Sequence, residues 1–179
     1  VDGSNDRRGG SLMNRTFADK INQVPPIIVR VLLILALVGF LGGIYHSASA
    51  KDVSMSDIES AMTEKTNINK MEKCNQRKLL QFMGLNSENY DSWIYYKSKE
   101  SLGVDELLII KVKSTDDLSG LQDTAEGRVE SQKKAFDGYG TNQMKLLGNA
   151  VIETKGKYFF YCVSKNPEKY EEVFRSVIQ

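Results

Sequence analysis

Two cysteines, one histidine and a few carboxylate doublets are the residues on which chemistry would have to be built. A nucleophilic thiol or hydroxyl needs a base within hydrogen-bond reach, most often an imidazole. The only histidine, His46, lies in an apolar N-terminal stretch. If that stretch is removed, Ser-His and Cys-His arrangements go with it, as do histidine-based metal sites. No metal and no cofactor is therefore expected. Cys74 and Cys162 leave two readings open. Outside the cell an even pair invites a disulfide, with Cys74 on a helix crossing the strand that holds Cys162. Equally, two unpaired thiols can be buried as small hydrophobes.

The doublets Asp105-Glu106, Asp116-Asp117 and Glu171-Glu172 are weighed as acid/base pairs or cation ligands. Neighbouring positions point to different sides of a strand or helix, so a doublet does not converge on one atom. They are expected to be solvated, with Asp116-Asp117 at a helix N-terminus where negative charge meets the dipole. Glycosidase-type hydrolysis would need two carboxyl groups facing each other at about 5–9.5 Å. Gly138-Tyr139-Gly140 lacks the preceding strand of a phosphate-binding loop and is read as a helix stop. Trp93, Tyr95, Tyr96, Tyr139, Phe159 and Tyr161 are expected to be sheet core and cross-strand pairs rather than a sugar or peptide site. One cluster has the composition of a binding hot spot: Arg128, Gln132, Lys133, Phe136 and Tyr139, at the end of a long amphipathic segment.

The elements that position these residues follow from period and punctuation. Ser54 or Ser56 caps a helix to about residue 65, and a second helix is expected over 70–83, stopped by Gly84. Trp93 to Tyr96 and Glu106 to Lys113 read as strands, the latter with Leu108, Ile110 and Val112 on one side. A long helix from Asp116 carries the stripe Leu118, Leu121, Ala125, Val129, Gln132 and Phe136. A short helix from Thr141 to Leu147 follows. Strands at 150–154 and 158–164 join through Lys155-Gly156-Lys157, and Pro167 opens a last helix with Tyr170, Val173, Phe174 and Val177 inward. The expectation is an α+β fold: an N-terminal signal or transmembrane helix, a two-helix lead-in, then a ββαββα domain. Its four-stranded, mainly antiparallel sheet would be covered by helices on one face.

Of 24 basic and 23 acidic residues, five basic and three acidic precede residue 51, so the remainder is almost neutral. A mixed, neutral surface is no footprint for nucleic acid, and none is expected as a partner. Residues 1–26 form a polar, basic n-region, with Val1 and Met13 as alternative starts. From Ile27 to Tyr45 the chain is apolar except for Arg30. Positive charge before the run and none after it until Lys51 places the N-terminus in the cytoplasm and residues 51–179 outside, as one domain. The core of the run, Val31 to Ile44, has the length of a signal-peptide h-region, and Ala48-Ser49-Ala50 offers small residues at both signal peptidase positions, Ala48 and Ala50. Cleavage after Ala50 is expected; the competing reading is an uncleaved anchor with Arg30 at the interface, held in the membrane through residues 27–45.

With these residues laid out, a resemblance can be given. Asp105 to Lys113 (DELLIIKVK), Arg128 to Gly140 (RVESQKKAFDGYG) and Lys155-Gly156-Lys157-Tyr158 resemble a family of small extracytoplasmic proteins of Gram-positive gut anaerobes, defined as a domain of unknown function, DUF4358. The likeness covers about residues 53–178. The family usually carries a lipid-anchoring cysteine after its leader, where this chain has Ala48-Ser49-Ala50. The resemblance implies no activity, cofactor or catalytic residue. The expected function is a non-enzymatic extracytoplasmic module, exported or membrane-tethered, that binds an unknown envelope or protein partner. The alternative is an envelope hydrolase with paired carboxylates.

Overall fold

The computed structural model describes residues 26–48 and 50–179, so residues 1–25 of the basic n-region, with both candidate start residues, lie outside the described residues. The chain divides into two units, Val1–Ser47 and Ala48–Gln179. In the first, helix α1 (Pro26–Ala48) opens on a proline, whose fixed φ suits a first helical turn. Its large apolar side chains from Ile27 to Val38 are exposed. Among the described residues no helix is long and apolar enough to cross a membrane.

The second unit is α+β. Its strands are β1 (Met71–Lys73), β2 (Tyr90–Ser98), β3 (Glu106–Val112), β4 (Val151–Lys155) and β5 (Tyr158–Val163), and its helices are α2 (Met55–Lys65), α3 (Gln76–Met83), α4 (Leu118–Phe136), α5 (Thr141–Gly148) and α6 (Pro167–Ile178). The strands form one sheet in the order β1-β2-β3-β5-β4, and every neighbouring pair is antiparallel. The sheet thus has five strands rather than the expected four.

It is also covered on both faces rather than one. One core joins Ile94, Tyr96, Leu107, Ile109, Phe160 and Cys162 of the sheet to α2 and α6. The other joins Tyr95, Leu108, Ile110, Phe159, Tyr161 and Val163 to α3, α4 and α5. The physical reason lies in the central strands. ELLIIKV and YFFYCV are apolar at odd and even positions alike, and a strand with two apolar sides must bury both. Reading only Leu108, Ile110 and Val112 as inward left Leu107 and Ile109 without a partner layer. In the first core Phe160 stacks on Phe174 of α6 with ring centroids 5.0 Å apart. Glu59 of α2 accepts from Tyr96 and pairs with Lys73 at 2.5 Å, tying that helix to the sheet edge.

The helix expected over 70–83 is broken. A 3₁₀ turn at Ile68–Lys70 leads into β1, and the helix proper begins only after Asn75, whose side chain accepts from the Lys78 N–H. Between them the Cys74 N–H donates to the Tyr95 carbonyl at 2.7 Å, so Cys74 sits in the link between β1 and the helix, held to β2, and not on a helix. The long helix likewise starts two residues later than expected, because Ser114 caps a 3₁₀ turn over Thr115–Asp117. Gly84, at φ 70°, closes α3 as expected, and Gly156, at φ 57°, makes the β4–β5 turn.

Cys74 belongs to one core and Cys162 to the other, with the sheet between them. Both are free and buried, so the disulfide left open by the sequence does not form and the buried-thiol reading describes both. Burial pushes the Cys162 thiol up to about 12 and raises that of Cys74 as well.

Candidate functional site

The second core contains one charged residue, Glu106, which is completely buried. Strand register explains both its position and its company. Glu106 lies opposite Lys97 on β2, and two residues further along β3, on the same side, Leu108 lies between Tyr95 and Tyr161. Helix α4 crosses this face through Leu121, Ala125 and Val129, and that stripe brings Arg128 over the carboxylate.

Five donors converge on the two oxygens. Oε1 accepts from Lys97 Nζ at 2.6 Å, Arg128 Nη2 at 2.7 Å and Tyr95 Oη at 3.1 Å. Oε2 accepts from Arg128 Nε at 3.2 Å and Tyr161 Oη at 3.1 Å. Burial alone would push this carboxyl upward, but the hydrogen bonds and charges of Arg128 and Lys97 outweigh it and hold it below the usual glutamate range. Burial and the carboxylate together raise the hydroxyls of Tyr95 and Tyr161, which therefore stay protonated as donors. Arg128 is raised in turn, burial opposing and Glu106 prevailing. A carboxylate so fully satisfied has no lone pair left for proton transfer. Glu106 fixes two cations in place.

What those cations present is a cleft. Lys97 and Arg128 keep 15% and 19% of their side chains exposed, and both lie against the Phe82 ring, Nζ at 4.6 Å and Cζ at 5.7 Å from its centroid. Beside them opens a cleft of about 400 Å³, walled also by Cys74, Gln132 and Phe136. Gln132 is buried, and its Oε1 meets no hydrogen-bond donor. An orphaned acceptor beside two positive groups, of which one carboxylate neutralises only one, can receive a polar ligand with an acceptor at one end and a donor at the other. Among the described residues there is no group of metal-ligating side chains.

The candidate cluster on the long helix is thus brought together in part. Arg128, Gln132 and Phe136, spaced by four, share the side facing this cleft. Lys133 pairs instead with Glu130 at 3.1 Å, and Tyr139 is exposed, its hydroxyl donating to the Ala135 carbonyl. Tyr95, Tyr96, Phe159 and Tyr161 are core as expected, Trp93 is only half-buried against the second core, and Tyr95 and Tyr161 also serve Glu106. Glu106 itself corrects the reading of Asp105-Glu106 as solvated: Asp105 is half-buried and Glu106 wholly so. The signal was there in the sequence, as one charge at the inward position two residues before Leu108 in the most apolar strand.

The family model for DUF4358, a domain of unknown function, matches residues 52–164. The chain belongs to that family. No curated protein and no solved structure matches it. The DUF4358 match spans every strand and every residue of the Glu106 cluster, and it stops before α6. Yet Tyr170, Val173, Phe174 and Ile178 of α6 complete the first core, so the domain packs with more chain than the match covers.

Proposed function

We propose that this DUF4358 chain is an extracytoplasmic binding module, exported or tethered by its N-terminal helix, whose ligand occupies the cleft over the Glu106 cluster. One observation carries the reading: Lys97 and Arg128 are pinned by a saturated carboxylate while the buried Gln132 Oε1 faces no donor. Groups held this rigidly cost little to order when a ligand arrives, the usual design of a recognition site. The ligand that fits is small and polar, with a carboxylate or carbonyl for the cations and an amine, amide or hydroxyl for Gln132. Export is supported by the sequence order of basic flank, apolar helix and Ala48-Ser49-Ala50.

The test of binding is a panel of amino acids and hydroxy acids, screened by thermal shift and heteronuclear NMR against the wild type and Gln132→Leu. That substitution removes an unsatisfied acceptor, so the unliganded variant should be at least as stable as wild type. Ligand-induced shifts on Arg128, Lys97 and Phe82 neighbours that vanish in Gln132→Leu support the proposal. Shifts of equal size in both proteins would remove the cleft from consideration. The test of export is N-terminal sequencing of the mature protein from its native host. A start at Lys51 indicates cleavage, an intact leader in the membrane fraction indicates the anchor, and a full-length protein confined to the cytosol overturns both.

A further inference from the structure

The turn between β2 and β3 is shared by a second cavity. Where the cleft described above lies with the α4 core, this one lies with Met71 and Tyr170, on the side of α6, and measures about 530 Å³. Four lysines stand around it: Lys70, Lys99, Lys165 and Lys169. Two carboxylates, Glu100 and Asp105, also line it, which leaves the wall with an excess of positive charge.

We propose that this cavity binds a phosphate-class oxyanion, as free phosphate or as the phosphate group of a larger molecule. Three independent features converge there. The first is the N-terminus of α6, a helix of 12 residues whose cap residue, Asn166, makes no side-chain capping bond, with Pro167 beginning the first turn. Pro167 has no N–H and the Lys169 N–H turns back to the Asn166 carbonyl at 3.3 Å, so what this end offers an anion is the Glu168 N–H and the positive end of the helix dipole, against the Glu168 carboxylate in the same turn. The second is the lysine set. The third is Ser164, immediately before the cap. It is only 4% exposed, it lines the cavity, and its Oγ has no hydrogen-bond partner. The thiol of Cys162, two residues back, offers it at most a weak contact. A buried hydroxyl without a partner costs free energy that an oxyanion accepting its proton would recover.

The two carboxylates set the geometry. Asp105 is half-buried, and burial together with repulsion from Glu100 raises its carboxyl above the usual range; it is the positions of these two carboxylates that leave an anion the side of Ser164 and the lysines. Lys99 already donates to the Asn69 carbonyl at 3.3 Å, which holds the rim of the cavity together with one of its cations in place.

The test uses the full chain in neutral detergent, titrated calorimetrically with inorganic phosphate at constant ionic strength, with chloride as the control anion. A second arm replaces phosphate with micelles doped with phosphatidylglycerol, against phosphatidylcholine. Saturable binding of phosphate assigns the site to the free anion; saturation by phosphatidylglycerol alone assigns it to a lipid headgroup. Either should weaken by about tenfold or more in Ser164→Ala and in Lys165→Ala/Lys169→Ala, the scale of one charge-assisted hydrogen bond. Gln132→Leu, in the other cleft, should leave it unchanged. Ser164→Ala removes an unsatisfied group and should unfold no earlier than wild type, which separates lost binding from lost fold. Absence of saturable binding in both arms, or equal binding by wild type and both variants, overturns the proposal.

Discussion

Arg128 meets Glu106 through two parallel contacts, Nε to Oε2 at 3.2 Å and Nη2 to Oε1 at 2.7 Å, so helix α4 is fastened to the middle strand by a fork-on-carboxylate pair inside the core. A pair of this kind is costly to break on one side only, because the partner stays buried with its charge. Arg128→Ala should therefore lower unfolding free energy by about 3–5 kcal/mol in denaturant titration. In that background Glu106→Gln should cost at least about 1 kcal/mol less than it does alone, since the two residues act as one unit. Additive losses would mean that the contacts are not coupled.

The pH dependence of stability follows from the same carboxylate. Glu106 has its folded-state pKa below the ordinary 4.5, because Arg128 and Lys97 more than offset its burial. Glu59 is lowered too, with hydrogen bonds from Lys73 and Tyr96 outweighing its partial burial. As pH falls below about 4.5 the unfolded chain takes up these protons first, so stability is complete above that value and is lost through the window beneath it. Glu106→Gln should flatten the acid limb of a plot of unfolding free energy against pH. A limb as steep as wild type would place the titrating group elsewhere.

Both thiols should be inert in the native state. With Cys162 pushed up to about 12 and Cys74 raised by burial, almost no thiolate is present at neutral pH, and both residues are buried, Cys162 in the first core and Cys74 at the wall of the Glu106 cleft. Iodoacetamide at neutral pH should leave the folded protein unmodified and alkylate both cysteines in guanidinium. Oxidant should produce no intramolecular bridge in folded protein by non-reducing mass analysis. Formation of a Cys74–Cys162 disulfide without unfolding would contradict their separation by the sheet.

Gly103 marks the tightest turn beside the proposed sites. A Cβ added there would stand 2.0 Å from Ser98 Oγ and 2.5 Å from Ser98 Cβ, closer than any real contact. Gly103→Ala should destabilise by about 1–3 kcal/mol, the ordinary cost of forcing a side chain into filled space. Ser98→Gly in the same chain removes both clashing atoms and should recover part of the loss. Thermal unfolding of the two variants reads the difference.

Much of this fold is legible from period alone, and the exceptions have physical causes. The stripes of α4 and α6 are long enough to declare a helix and its inward face, and Leu121, Ala125, Val129, Tyr170, Val173 and Phe174 are all buried. Strand β1 has three residues, too few to show an alternation, and is made by pairing with β2 rather than by its own preference. The two-sided burial of β3 was visible as an unbroken apolar run, though which helices would cover each side is a tertiary matter. Glu106 was harder. Its partners lie 9, 22 and 55 residues away, at Lys97, Arg128 and Tyr161, and no local spacing joins them. Arg128, Gln132 and Phe136 could be grouped because one helix carries them; Lys133 and Tyr139 fell into the same group only by being near in sequence.

The Lys51 N–H donates to the Ile178 carbonyl at 2.7 Å, and Ala50 packs on the first core, so close to Gly156 that a methyl group there would come within 2.8 Å of its own. The peptide bond between Ala50 and Lys51 is thus stitched to the last turn of the last helix. If the chain is exported as proposed above, a peptidase would have to reach this bond before α6 closes on residue 51.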